Sequence, residues 1–164
     1  MTLKHLTIAA ALATLPSLAS AHMIVENGYA RSSNPQAGAA FMTIENHSST
    51  DDRVVSVSSD SAARVELHTH IEDTGGVMRM VEVEDGFPIA AGETMELVRG
   101  GAHVMFMGLN APWENGDEVT FTIEFEYADP VTVTFAVDND RVQGHGGHGG
   151  HGDHSSHGNH GTDS

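Results

Sequence analysis

Histidine and methionine recur at alternate positions in three short stretches of this sequence. His103, Met105 and Met107 stand two residues apart in AHVMFMG (102–108), His68 and His70 do so in RVELHTH (64–70), and Met78 and Met80 in VMRMVEVE (77–84). Alternate side chains of an extended strand share a face, so each stretch would present its donors to one side. Thioether sulfur is a soft, neutral donor that suits Cu(I) and offers little to Zn(II), Mg(II) or Ca(II), which makes a mixed imidazole–thioether set a copper signature. Neither donor type is charged, so bound Cu(I) keeps its +1, which a shallow site near acidic residues tolerates better than a deep apolar one. Met42 and Met95, each alone in its stretch, read as core fillers, and His47 reads as a surface histidine or one satisfied by a hydrogen bond.

A second array of imidazoles closes the chain. Residues 142–164 read VQGHGGHGGHGDHSSHGNHGTDS, with His145, His148, His151, His154, His157 and His160 at every third position. With almost no apolar area to bury, such a segment cannot offset an ordering cost of roughly 1–2 kcal/mol per residue, and residues 141–164 are predicted to be disordered without metal. Neutral imidazoles on a pliable backbone suit Cu(II), Zn(II) and Ni(II), so this tail reads as a metal-binding sponge of Cu(II) type.

Composition narrows the remaining classes. The 164 residues hold 23 acidic and 7 basic side chains, a net charge of −16, and no cysteine. Zinc-thiolate folds, Fe–S proteins, disulfide scaffolds and cysteine nucleophiles are therefore excluded, and so is a blue-copper centre, which needs a thiolate. So acidic a chain repels phosphate backbones, which argues against nucleic acid and anionic membranes as partners.

Residues 1–21 have the form of a secretory leader: Lys4, an apolar run from Leu6 to Leu18, and Ala19 and Ala21 in an A-x-A arrangement. The run is too short to span about 30 Å of hydrocarbon, so stable membrane insertion is not expected. Cleavage after Ala21 would start the mature chain at His22 with a charge of −17, since Lys4 is the only lysine. Export without cysteine suits an oxidising compartment, the periplasm of a bacterium.

The elements that must position these donors lie between the leader and the tail, in 22–140, a normal size for one domain with one core. Nine stretches alternate or are rich in β-branched residues: 24–31, 39–46, 53–58, 64–70, 77–84, 94–99, 102–108, 118–126 and 131–137. Turn signals such as Ser32-Ser33-Asn34-Pro35, Asp73-Thr74-Gly75-Gly76 and Arg99-Gly100-Gly101 separate them. Many short strands without a helix-length crossover predict an all-β, antiparallel sandwich with Greek-key connections, the only helical piece being a turn near 59–63. Strand ends meeting at one end of such a sandwich would gather the His and Met groups. No phosphate-binding glycine loop and no nucleophile elbow is present, so neither phosphoryl transfer nor hydrolysis is indicated.

Residues 65–109, VELHTHIEDTGGVMRMVEVEDGFPIAAGETMELVRGGAHVMFMGL, closely resemble the periplasmic PCu(A)C copper chaperones. The resemblance rests on a spaced motif: His68, eleven residues, Met80, twenty-two residues, then His103-x-Met105. GYAR (28–31) and TIEN (43–46) are further landmarks. The resemblance implies a cupredoxin-like β-sandwich binding one Cu(I) through His68, Met80, His103 and Met105. Met78 is the rival of Met80 on the same strand face, Met107 is expected to pack beneath the site, and His70 has no settled role. It also implies delivery of copper to the Cu(A) or haem–copper site of cytochrome oxidases alongside Sco-type thioredoxin-like proteins. The His-rich tail resembles family extensions associated with Cu(II).

The expected protein is thus a monomeric periplasmic carrier without enzymatic activity. A passive Cu, Zn or Ni buffer acting through the tail alone is a second reading. A third, less favoured, is a copper oxygenase using the amine and imidazole of His22, which would need a second His held across the site.

Overall fold

The computed structural model describes residues 22–142; the leader and the six tail histidines lie outside the described residues. Its ten strands are β1 (Met23–Asn34), β2 (Ala37–Asn46), β3 (Asp52–Ser58), β4 (Ala62–Glu72), β5 (Met78–Glu82), β6 (Phe87–Ile89), β7 (Thr94–Leu97), β8 (His103–Leu109), β9 (Glu118–Phe125) and β10 (Val131–Ala136). All nine predicted stretches are strands. The tenth, β6, escaped notice because Phe87-Pro88-Ile89 is too short to alternate; it is an edge strand, where the N–H that Pro88 lacks costs no ladder bond. The predicted helical piece near 59–63 is a tight turn at Asp60-Ser61, and no helix occurs among the described residues.

The strands form two antiparallel sheets, as the all-β sandwich reading expected. One runs β1-β2-β8-β4-β5, with β7 pairing the far end of β2; the other runs β10-β9-β3-β6. Alternation explains which faces meet. In β9, Val119, Phe121, Ile123 and Phe125 are buried, while Thr120 and Thr122 face outward and hydrogen-bond across to Thr134 and Thr132 at 2.7 and 2.8 Å. From the larger sheet, Leu67, Val104, Phe106, Met42 and Ile44 face them. The few aromatic residues are concentrated in this layer, where Trp113, Phe106, Phe121 and Phe135 follow one another with centroids 5.1–5.6 Å apart in edge-on pairs. Met42 is in this core, and Met95 is packed against it.

Two features lock the layers. In β1 a bulge at Asn27-Gly28 interrupts the pairing with β2, with Asn27 at φ 56°. A Cβ on Gly28 would sit 1.9 Å from the Phe135 ring, so only glycine lets β1 approach this side chain. At the opposite corner the buried carboxylate of Asp52 accepts the backbone N–H groups of Arg53, Glu126, Tyr127 and Ala128 at 2.7–3.1 Å, tying the β9–β10 turn to β3.

Asp52→Ala would leave the N–H groups of Arg53, Tyr127 and Ala128 without their acceptor, Glu126 N–H keeping the Arg53 carbonyl at 3.0 Å, and it is expected to cost about 3 kcal/mol of stability. Urea unfolding would show a lower midpoint at unchanged slope; a loss below about 1 kcal/mol would mean that water replaces the carboxylate at no cost.

Candidate metal centre

The donors converge through strand register on the outward face of the larger sheet, not at one end of the sandwich. β4 lies between β8 and β5. His68 is paired with His103 on one side and Glu82 on the other; His70 is opposite Met80, and Glu66 opposite Met105. Directly opposed residues have Cβ atoms about 5 Å apart, close enough for rings to meet. The His68 and His103 centroids are 5.9 Å apart and those of His70 and His103 5.3 Å.

The turn between β4 and β5 fixes this register. The Asp73 side chain accepts the N–H of Gly75 (2.9 Å) and Val77 (3.1 Å) and the Arg79 guanidinium (2.8 Å). The same bonds, that from Val77 first, hold its carboxyl below the usual carboxylate range. Met80 then reaches from the sheet edge across β4, and its Sδ lies 3.2 Å from His103 Nε2.

A second turn sets the imidazole tautomers. Arg99-Gly100-Gly101, with Gly100 at φ 84°, folds between β7 and β8, and the Gly101 carbonyl accepts His103 Nδ1–H at 2.9 Å and lies 3.4 Å from His70 Nδ1. With its proton on Nδ1, His103 turns the lone pair of Nε2 toward the Met80 sulfur. Metal–nitrogen and metal–sulfur bonds of about 2.0 and 2.3 Å close a triangle over a 3.2 Å separation at an angle of about 95°. Burial holds the His103 imidazole below its usual range, against the pull of the Gly101 carbonyl, and His70 and His68 add to the lowering. The ring is therefore kept in the neutral form that ligates.

His103, Met80, Met105 and His70 line one open cleft of about 330 Å³, with Phe41 and Ala39 from β2 behind them. His68 is beside it rather than on its wall. The Glu66 carboxylate holds His68 Nε2 at 2.8 Å, and Nδ1 is buried without a hydrogen-bond partner. A buried, unpartnered nitrogen with its tautomer fixed by a carboxylate is the arrangement seen behind metal-bound histidines. Met80 is 45% exposed, so the cleft opens to solvent at the sheet edge.

Met78 shares the strand face of Met80 but is opposite Glu72, one pair farther from His103. Met107 lies farther along β8 on the same outward face as Met105, with the Arg64 guanidinium 3.5 Å from its sulfur. Among the described residues no three His, Asp or Glu side chains form a ready-made cage, so the thioethers are needed to complete a donor set. The acidic residues expected near the site are Glu66, held against His68, and Glu82, opposite it on β5, while the charged groups that line the cleft itself are Arg31 and Arg99. Sequence reasoning missed this, because arginines on β1 and the β7–β8 turn are far from the motif in the chain.

The LpqE-like family model, described as "Putative lipoprotein LpqE-like", matches residues 23–137. "Putative lipoprotein Lxx21020" of Leifsonia xyli subsp. xyli is 35% identical over 101 residues, and "Uncharacterized protein RP573" of Rickettsia prowazekii 29% over 102. Each match takes in 62% of this chain, which spans 60% and 56% of those proteins' lengths. Among solved structures, apo-DR1885 from Deinococcus radiodurans is 27% identical with a TM-score of 0.54, covering 85% of this chain and 96% of that one. Its CuI form is 28% identical, with a TM-score of 0.53 over 71% of this chain and 79% of that one. The copper-bound PCuAC domain from PmoF2, at 20% identity and TM-score 0.58 over 71% of this chain and 92% of that one, shares the fold. The chain belongs to the LpqE-like family and, with it, to the PCu(A)C group that residues 65–109 resemble.

Proposed function

We propose that the protein is an exported copper chaperone that carries Cu(I) on the outward face of its larger sheet. The observation that carries this reading is the meeting of His103 Nε2 and Met80 Sδ at 3.2 Å in a cleft that Met105 also lines. The donors are His103, Met80, Met105 and His68, the last through the Nδ1 that lacks a partner. DR1885, over one quarter identical, is described with CuI bound, which supports the choice of metal. An open cleft with neutral ligands from three strands lets an acceptor's ligands replace them singly, which suits carriage better than catalysis. Delivery to the Cu(A) or haem–copper site of cytochrome oxidases, alongside Sco-type proteins, completes the reading, with the protein acting as a monomer.

Export rests on the 1–21 leader and agrees with the lipoprotein description of the family. N-terminal sequencing of protein recovered from the periplasm should read His22 first. The tail supplies a Cu(II)-type store; the described chain leads toward it past the cleft rim, where Arg99 donates to the Arg141 carbonyl at 3.3 Å.

Every core residue lies within 23–137, so a chain of residues 22–142 keeps the fold. In that chain, competition with a chromophoric Cu(I) chelator should show one site. His103→Ala and Met80→Ala should each weaken it at least about 10-fold, and Glu66→Gln, through His68, about 10-fold. A passive buffer acting through the tail predicts no site and no loss. His68→Ala should exceed His70→Ala in effect; the reverse would make His70 the second imidazole. The full-length chain should take up more Cu(II) than the 22–142 chain, and equal uptake would remove the tail from the reading.

A further inference from the structure

The β1–β2 ladder does not end at its last strand pair. Beyond Met23↔Asn46, the His47 N–H donates to the His22 carbonyl at 2.9 Å, which makes His22 and His47 a cross-strand pair. Their ring centroids are 6.5 Å apart. Two imidazoles on one metal, each with a metal–nitrogen bond of about 2.0 Å, have centroids about 4.5–6.3 Å apart, depending on the angle between them. Both side chains are exposed, so a small rotation closes that gap without disturbing the core.

A carboxylate stands behind this pair as another stands behind His68. Glu45 Oε2 is 2.6 Å from His47 Nε2, as Glu66 Oε2 is 2.8 Å from His68 Nε2, each Glu two residues before its His. By holding the proton on Nε2, Glu45 leaves His47 Nδ1 as the donor nitrogen. His22 adds its own imidazole and, once the leader is removed, the free α-amine of the same residue.

We propose that His22 and His47, oriented by Glu45, form a second metal site, for Cu(II), made of the His22 amine, the His22 imidazole and His47 Nδ1. Nitrogen donors with a carboxylate behind them select a borderline divalent ion, and Cu(II) binds such a set most tightly of the first-row divalent metals. The site has no thioether, so it lacks the soft donors that favour Cu(I) in the cleft. It is six residues along β2 from Phe41, whose ring is 6.1 Å from that of His103, or about 20 Å from the thioether cleft. The two sites are therefore separate in position and in the oxidation state they favour. The amine component rests on the proposed cleavage after Ala21; the imidazole pair and Glu45 do not.

The test uses the 22–142 chain with Cu(II) alone, followed by EPR and by competition with a Cu(II) chelator. One Cu(II) with nitrogen hyperfine structure is expected. His47→Ala and His22→Ala should each weaken it at least about 10-fold, Glu45→Gln about 10-fold, and a glycine added before His22 at least about 10-fold through loss of the chelating amine. Cu(II) binding unchanged by His47→Ala would overturn the site, as would its loss in His103→Ala, which would place Cu(II) in the thioether cleft. Binding unchanged by the added glycine would overturn the amine's part. Cu(I) affinity measured on the same variants separates the two proposals: it should be unaffected by His47→Ala, and its absence throughout would sink the chaperone reading while leaving this site standing.

Discussion

The pairing of β4 with β8 and β5 is the constraint on which the cleft depends. Side chains on a strand alternate strictly, so slipping β4 by one residue would turn His68 and His70 into the core and bring Leu67 and Thr69 to the outward face. The same slip would break the His68↔His103 and His70↔Met80 pairs together. Register is held from both ends of the arrangement. Asp73 closes the β4–β5 turn with three hydrogen bonds, and the inward Leu67, Val104 and Phe106, each nearly or fully buried, cannot move outward without losing their burial. For a side chain of that size such a loss is of the order of 1.5–3 kcal/mol.

Core and site are thus two faces of the same strands. Val104 and Phe106 of β8 lie in the sandwich interior while His103 and Met105 project from the other side. This division lets a sheet present histidine and methionine without weakening its core: they lie on the face turned away from the second sheet, where His68 and His103 are nevertheless buried. It also explains the limited reach of the smaller sheet, which supplies half of the core and none of the cleft-lining residues. Loops do the finer positioning, since the Gly101 carbonyl orients His103 and the neighbouring Gly100 lines the cleft.

Period-two patterning made the strands legible in the sequence, and the His-x-Met and His-x-His spacings made the donor faces legible with them. What alternation does not carry is which strands become neighbours. That β4 would lie between β5 and β8 depends on long-range pairing, so the place where the donors meet could be set at a sandwich end or on a sheet face with equal consistency. The β6 segment is set by pairing with β3 rather than by its own pattern. Asp52 and Asn46 gave no signal for the same reason: their partners, 126–128 for the one and Ile89 for the other, are distant in the chain. His47 looked solitary because its partner, His22, is 25 positions away in sequence and adjacent only through the ladder.

The charge distribution bears on how a cation could be carried and let go. After loss of the leader the chain would carry −17, yet Arg31 and Arg99 stand at the cleft rim, and Arg141 lies over the Tyr29 ring at 4.2 Å beside the same β2 surface. Arg31 Nε is buried there without a hydrogen-bond partner. Positive charge at the rim opposes a resident cation and therefore works against the thioether and imidazole donors. For the proposed carrier it would also attract carboxylates of an acceptor and leave the soft donors to be exchanged. On the proposed reading, holding would come from ligand chemistry and release from the surrounding field, so that neutral ligands could bind copper without making its transfer slow. An acidic rim would add its attraction to that of the ligands and oppose departure, which makes the observed arginines fit a carrier better than a store.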